Sequence, residues 1–308
     1  MADDWWNIAL RFALYVDLMV LFGLPLFATY SLGRSERLSK IGRQFFMIAA
    51  AASVAGLLLS GFGMLEMAKQ MVGGADYSAV TRHVLQMILT RTGAGMAWVV
   101  RLLALGVCLA AAVAVRRDTT IRFRALSLAG AIAVATLAWS GHGAMNEGAR
   151  GFVHLVSDVA HLIAAGAWVG ALVAFVTLAA SSAPDDGSTV EVLARSAAGF
   201  AWVGSAVVVT LALTGIVNYL MVVGATVQGL FTSTYGRLLS AKMLLFTGML
   251  GLAAANRFVL TRRLQAAVAS REFGSEARAL RKSLWTETGL AFAVLGLVAW
   301  LGVLSPPA

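Results

Sequence analysis

The chain has 308 residues, 59% hydrophobic and only 13% charged, with a net charge of +9 and a pI near 10.4. Globular chains carry about 25% charged residues, so this composition excludes a soluble enzyme with a membrane tail and a large extramembrane domain, and leaves material for about eight bilayer spans of about 20 residues each. The single cysteine, Cys108, lies in an apolar run, which excludes a disulfide framework, a zinc-finger pair and a CxxC redox motif.

In chain order, the first span is expected near residues 5–31. Its acidic start, Met1-Ala2-Asp3-Asp4-Trp5-Trp6, lacks the basic stretch of a cleaved signal peptide, so the run is expected to stay as a span. It carries Arg11 and Asp17. A loop near 32–43 holds Arg34, Arg37, Lys40 and Arg43 and leads to span two, 43–67, with Met64, Met67 and Met71 along its outer end. In segment 73–92, Tyr77, Val80, Val84, Met87 and Ile88 recur at helical spacing, which predicts a short amphipathic helix on the outer surface of the bundle, carrying His83. Span three, 94–115, holds Arg101; the loop near 116–124 holds Arg116, Arg117, Arg122 and Arg124. Span four, 125–142, ends in Ser140-Gly141-His142-Gly143, with Met145 three residues after the histidine. Span five, 152–180, carries His154, Asp158 and His161, and loop 181–194 reads as a polar linker on the cytoplasmic side. Span six covers 197–223. Span seven, 236–259, contains Lys242 and Asn256. Loop 260–284 holds Arg262, Arg263, Arg271, Arg278, Arg281 and Lys282, and Glu287 opens span eight, 285–304.

The expectation is an all-α polytopic membrane protein, a single transmembrane domain over 1–308 with eight helices. The three basic loops fall on one side, with Arg195 and Arg257; the other side has Lys69, Arg82, Arg91, Arg150 and Arg237. By the positive-inside rule both termini then face outward. The positive charge reads as a topology signal, so nucleic acid is not an expected partner and membrane lipid is. A parallel 4+4 repeat is a further possibility. Gly95-x5-Arg101-x-Leu103 matches Gly236-x5-Lys242-x-Leu244, and Ser60-Gly61 matches Thr214-Gly215. Small-residue packing of membrane helices also produces such pairs by itself.

Ionisable residues inside spans are costly and mark function by default. At 1.5 Å per residue from the outer face, Arg11 and Asp158 lie about 9 Å deep, Lys242 and Arg101 about 9–12 Å, and Asp17 about 18 Å. These five form either an ion-pair network that fixes the helices or a polar cavity open to the outside. The four histidines, His83, His142, His154 and His161, all map to the outer half. His154, Asp158 and His161 fall within about 60° of arc on a helical wheel, a stripe that must face the bundle interior. Two imidazoles and a carboxylate suit Cu(II), Zn or Ni; the alternative is a set of hydrogen-bonded histidines without metal. Thioether sulfur favours Cu(I), so Met64, Met67, Met71 and Met145 on the same side tilt the choice toward copper, unless they are ordinary apolar packing. No Walker A motif, aspartyl-phosphate signature, Ser-His-Asp set or HExxH occurs, so neither an ATP-driven pump nor a hydrolase is expected, and the chain is not expected to be an enzyme.

Three stretches resemble the copper-resistance D family (CopD/PcoD) of bacterial inner-membrane proteins. They are His161-x6-Trp168-x-Gly170; Thr214-Gly215-x2-Asn218 with Tyr235-Gly236-Arg237-Leu238-Leu239-x2-Lys242 and Asn256-Arg257; and Arg281 through Pro307 with Glu287. The likeness is strongest over 140–308; over 1–139 it rests on the eight-span count and the outward histidines. It implies periplasmic termini, copper movement from periplasm to cytoplasm in copper homeostasis or resistance, and a periplasmic copper carrier (CopC-like) as a separate protein. It carries over His142, His154, Asp158 and His161 as outer copper ligands, with Cu(I) or Cu(II) as the ion. Lys242 and Glu287 match family positions with structural or gating roles: Lys242 as counter-ion to Asp158, Glu287 with Asn256 as an inner polar contact. Two rival readings stand beside transport. One is a haem-b electron-transfer protein, with His161 and either His142 or His83 as axial ligands. The other is a copper sensor or assembly factor that does not transport.

Overall fold

A backbone amide without a partner is costly in a bilayer, so apolar runs fold as helices. The computed structural model describes residues 2–73, 76–114, 118–140, 148–181, 187–224, 233–271 and 274–304. Among them are eight helices long and apolar enough to cross a membrane, and no strand. The helices are α1 (Ala2–Ser31), α2 (Arg34–Leu38), α3 (Lys40–Met71), α4 (Arg82–Arg91), α5 (Gly93–Val113), α6 (Thr119–Ala135), α7 (Gly148–Ser181), α8 (Gly187–Val222), α9 (Thr234–Ala255), α10 (Thr261–Ser270) and α11 (Gly274–Leu301). A π-helical turn, Asn256–Leu260, joins α9 to α10 without a break.

Two expected loops are helix instead. Of the linker placed at 181–194, residues from Gly187 onward belong to α8, where Val190, Leu193 and Ala194 recur at helical spacing and are buried. Hydropathy missed this turn because Glu191 and Arg195 dilute it. The basic stretch 260–284 is mostly α10 and the start of α11, with Leu264, Leu280 and Leu284 buried. Its Ala, Leu, Arg and Glu residues are good helix formers, so the helices continue past the apolar window. The helix expected over 73–92 is broken in two. Asp76 caps a short 3-10 turn, Tyr77–Ala79, and Thr81 caps α4. The Ser78 N–H bound by Asp76 holds that carboxyl below the usual carboxylate range. Tyr77 donates its hydroxyl to Glu66, and Lys69 sits over its ring, so its polar contacts hold it on the end of α3. Ile88 does face inward, against Met64 and Ala68, whereas Met87 is exposed.

α1 and α7 form the centre of the bundle. α1 packs on α3, α6, α7 and α11; α7 packs on α1, α6, α8 and α11. The central pair meets through glycine: a Cβ on Gly23 would overlap the carbonyl oxygen of Gly166, and one on Gly170 would overlap the backbone of Gly23. Small residues are what lets membrane helices approach this closely. α3 packs on α5, whereas α8 and α9 have little direct contact among the described residues, α8 lying on α7 and α10 instead. Outward-facing apolar residues such as Trp202, Leu213 and Leu244 suit a lipid environment.

The start of α1 and the end of α11 meet at one end of the bundle, where Trp5 and Trp300 have ring centroids 5.3 Å apart. At the opposite end the basic residues also close helices. Arg37 donates to the carbonyls of Thr29 and Leu32 and to the Thr120 hydroxyl, each at 2.9 Å. Arg122 donates to the carbonyls of Ala111 and Ala112 and lies 3.7 Å from the Phe46 ring centroid. Cations belong at helix C-termini, where unpaired carbonyls collect. Arg37→Ala is therefore expected to cost about 2–3 kcal/mol, read as a lower midpoint of thermal unfolding in detergent; Arg34→Ala, which makes none of these described bonds, serves as the control.

Candidate functional site

The site lies where α8 and α9 stand apart over α7. His161 and Asp158 point from α7 toward α8, both half-buried. His161 Nδ1 is 2.8 Å from Thr214 Oγ1. That hydroxyl has one proton, and it donates it to the Thr210 carbonyl at 2.6 Å. Thr214 must then accept from His161, which puts the imidazole proton on Nδ1 and leaves the Nε2 lone pair open. Nε2 has no hydrogen-bond partner among the described residues. Hydrogen bonds of this kind fix the tautomer of metal-binding histidines.

Beside it, Asn218 donates to Asp158 Oδ1 at 3.3 Å, and the Asn218 amide oxygen is buried without a partner among the described residues. Ser157 reaches the Thr214 carbonyl at 3.4 Å. Lys242 of α9 is close enough for its charge to act on both Asp158 and His161. The expected pairing of Lys242 with Asp158 does not form an ion pair among the described residues; Lys242 acts on Asp158 only as a nearby charge. The chemical outcome is a cluster of electron-pair donors, imidazole nitrogen, carboxylate and amide oxygen, with one tethered ammonium among them.

The other expected site residues are dispersed. His154 is buried near the start of α7, two turns from His161. Seven residues of rise separate the two by about 10 Å along the helix, and His161 is turned toward Thr214. Among the described residues no three of His, Cys, Asp and Glu come together to hold one metal ion. His142 and Met145 lie outside the described residues. His83 is exposed on α4, which packs on α3 and α5, so it does not face His161 as an axial haem pair would require. Met64 and Met67 pack with Ile88 and Trp98 in a small apolar cluster, and Met71 is half exposed.

The expected network of buried ions does not form around Arg101 and Asp17. Arg101 is 5% exposed and donates to Thr136, to the hydroxyl at 2.8 Å and to the carbonyl at 3.3 Å. Asp17 faces Gly56, and its buried Oδ2 has no hydrogen-bond partner among the described residues. Thr136 offers the guanidinium two acceptors close by, and Arg101 bonds these rather than the carboxylate. Arg11 lies against Gly302 near the chain ends.

The expected inner contact of Glu287 and Asn256 is present and has a third member. Glu287 is 3% exposed. Its Oε1 accepts from Trp168 Nε1 at 2.9 Å and its Oε2 from Asn256 Nδ2 at 2.7 Å. Thr214 and Asn218, which bond His161 and Asp158, and Trp168, which bonds Glu287, lie in the family-like stretches, but residue chemistry alone passes them over. A signal for two of them existed: Thr210, Thr214 and Asn218 recur every four residues on α8, a polar stripe facing the one on α7.

A family profile described as "Copper resistance protein D-like, N-terminal domain" matches residues 1–152, and one described as "Copper resistance protein D" matches residues 194–301. The chain is 45% identical to a copper resistance protein D of Pseudomonas syringae pv. tomato over 99% of its own length and 98% of the relative's. It is 26% identical to the inner membrane protein YebZ of Escherichia coli K12 over 97% of the chain and 98% of that relative. It is 30% identical to the copper transport protein CutJ of Bacillus subtilis over 86% of the chain, which spans 48% of CutJ. No solved structure matches the chain.

Proposed function

This chain belongs to the copper resistance protein D family, and on that premise we propose that it moves copper across the bacterial inner membrane, from periplasm to cytoplasm, without enzymatic chemistry. The observation that carries this reading is the uncommitted Nε2 of His161, held open by Thr214 beside Asp158 and the unpartnered Asn218 oxygen.

Copper is the substrate here, not a resident cofactor. A site with few ligands binds an ion without trapping it, as conduction requires. Lys242 supplies the counter-charge to Asp158 when no copper is present, and its charge repels a copper ion that has arrived, which favours release. Copper is delivered by a separate periplasmic carrier (CopC-like) at the outer end, where His154 and the segment holding His142 and Met145 provide further ligand types. Imidazole and carboxylate admit Cu(II), and the methionines admit Cu(I).

Vesicles containing the purified protein and a trapped copper indicator are expected to fill with added copper faster than protein-free vesicles. Equal filling would end the transport reading and leave a copper sensor or assembly factor. Elemental analysis of the same preparation is expected to give copper without stoichiometric iron; stoichiometric iron would move the histidines to haem.

A further inference from the structure

The Trp168–Asn256–Glu287 cluster takes no part in the copper site, and its chemistry asks for an explanation of its own. Glu287 lies about 8 Å along α11 past the exposed Lys282, at the start of the apolar span, and is buried within the bundle. A carboxylate at that depth normally pairs with a cation. Here both of its described partners are neutral donors.

Among the described residues, the charged groups near the middle of the helices packed around α11 are turned elsewhere. Asp17 of α1 faces Gly56, and Arg11 lies near Gly302. Asp158 and His161 of α7 face α8 and Lys242. Arg257, in the π-helical turn, donates to Ser205 at 2.6 Å. Arg262 and Arg263 of α10 are exposed, as are Arg278, Arg281 and Lys282 of α11 itself. Tyr235 and Arg237 sit at the first turn of α9, far along the helix from Asn256.

Two further details point to the ligand. Asn256 Oδ1 is buried with no hydrogen-bond partner among the described residues. The residue also opens the π-helical turn, a rare geometry that recurs at functional sites. An amide offers a donor at one end and an acceptor at the other. With Glu287 ionised, the NH2 end faces Oε2, as observed. With a proton on Oε2, the amide turned end for end accepts from the new O–H. Trp168 donates to Oε1 in both states.

We propose that Glu287 binds and releases a proton inside the membrane, with Asn256 turning its amide to match the two states. One O–H bond forms on Oε2 when the proton binds and breaks when it leaves; nothing is oxidised or reduced. The proton site is separate from the His161 cluster and does not depend on the copper reading.

The test is infrared spectroscopy of the full-length protein in lipid, grown with glutamate labelled with 13C at the side-chain carboxyl and titrated from acid to alkaline pH without copper. A protonated-carboxyl band that shifts with the label, disappears on alkalinisation and is absent in Glu287→Gln is expected. Trp168→Phe removes the donor to the carbonyl oxygen and is expected to move that band to higher wavenumber; this variant keeps the test open where Glu287→Gln does not fold. A band that survives in Glu287→Gln, no labelled band at any pH, or a band unmoved in Trp168→Phe would overturn the proposal. So would loss of the band at constant pH when sodium replaces choline in the buffer, which would make the cluster a metal-cation site.

Discussion

His161→Ala is expected to abolish copper uptake into vesicles, with a loss beyond the 10–100-fold typical of removing a group that only orients a ligand. The alanine deletes the one ring nitrogen of the α7–α8 cluster that is free to bind metal. Thr214→Val should lose about tenfold, because the ring keeps its place but not its tautomer: with no acceptor at Nδ1, the proton is free to move to Nε2 and block it. Thr214→Ser restores the hydroxyl and should restore uptake. That rescue separates the two roles of the position, since a packing defect would be worse in serine than in valine. Uptake in His161→Ala equal to wild type would remove the site from the route altogether.

Gly170→Ala is the expected largest loss of stability. Its methyl group would overlap the backbone of Gly23, which has no soft side chain to yield, so α1 and α7 must part along their whole contact. A cost of about 2–4 kcal/mol follows for overpacking against rigid backbone. Gly61→Ala is the matched control: it makes the same chemical change on α3, where nothing lies within 4 Å of the added atom. There the lost chain freedom of glycine is expected to give a gain of about 0.4–1 kcal/mol. Cys108, the only cysteine, is fully buried, so a thiol-reactive fluorogenic dye reads unfolding directly. Midpoints of dye labelling should fall for Gly170→Ala and hold or rise for Gly61→Ala. Equal midpoints would show that the central pair tolerates separation.

The span count was legible because bilayer thickness writes itself into the length of apolar runs. Span ends were not, because charge ends an apolar window but does not end a helix: Glu191 and Arg195 in α8 and the Arg-rich start of α11 are helical all the same. The site was half legible. Periodicity placed Asp158 and His161 on one face of α7, and the opposing stripe on α8 was there to be counted. The Trp168–Glu287 bond joins positions 119 residues apart, and no local pattern reveals such a pair. Arg101 and Asp17 suggest an ion-pair network or a polar cavity because both are ionisable within spans; Thr136, at the turn that closes span four, takes the guanidinium instead.

The π-helical turn has a consequence for reading related sequences. A turn closed by i→i+5 bonds holds one residue more than an α-helical turn, and each residue advances an α-helix by about 100°. A relative lacking that extra residue would present Leu264 and its neighbours about 100° further round the helix axis than this chain does. An ungapped alignment through Asn256 would then equate inward positions of one protein with outward positions of the other, and would report substitutions between them where only the phase of the helix had changed.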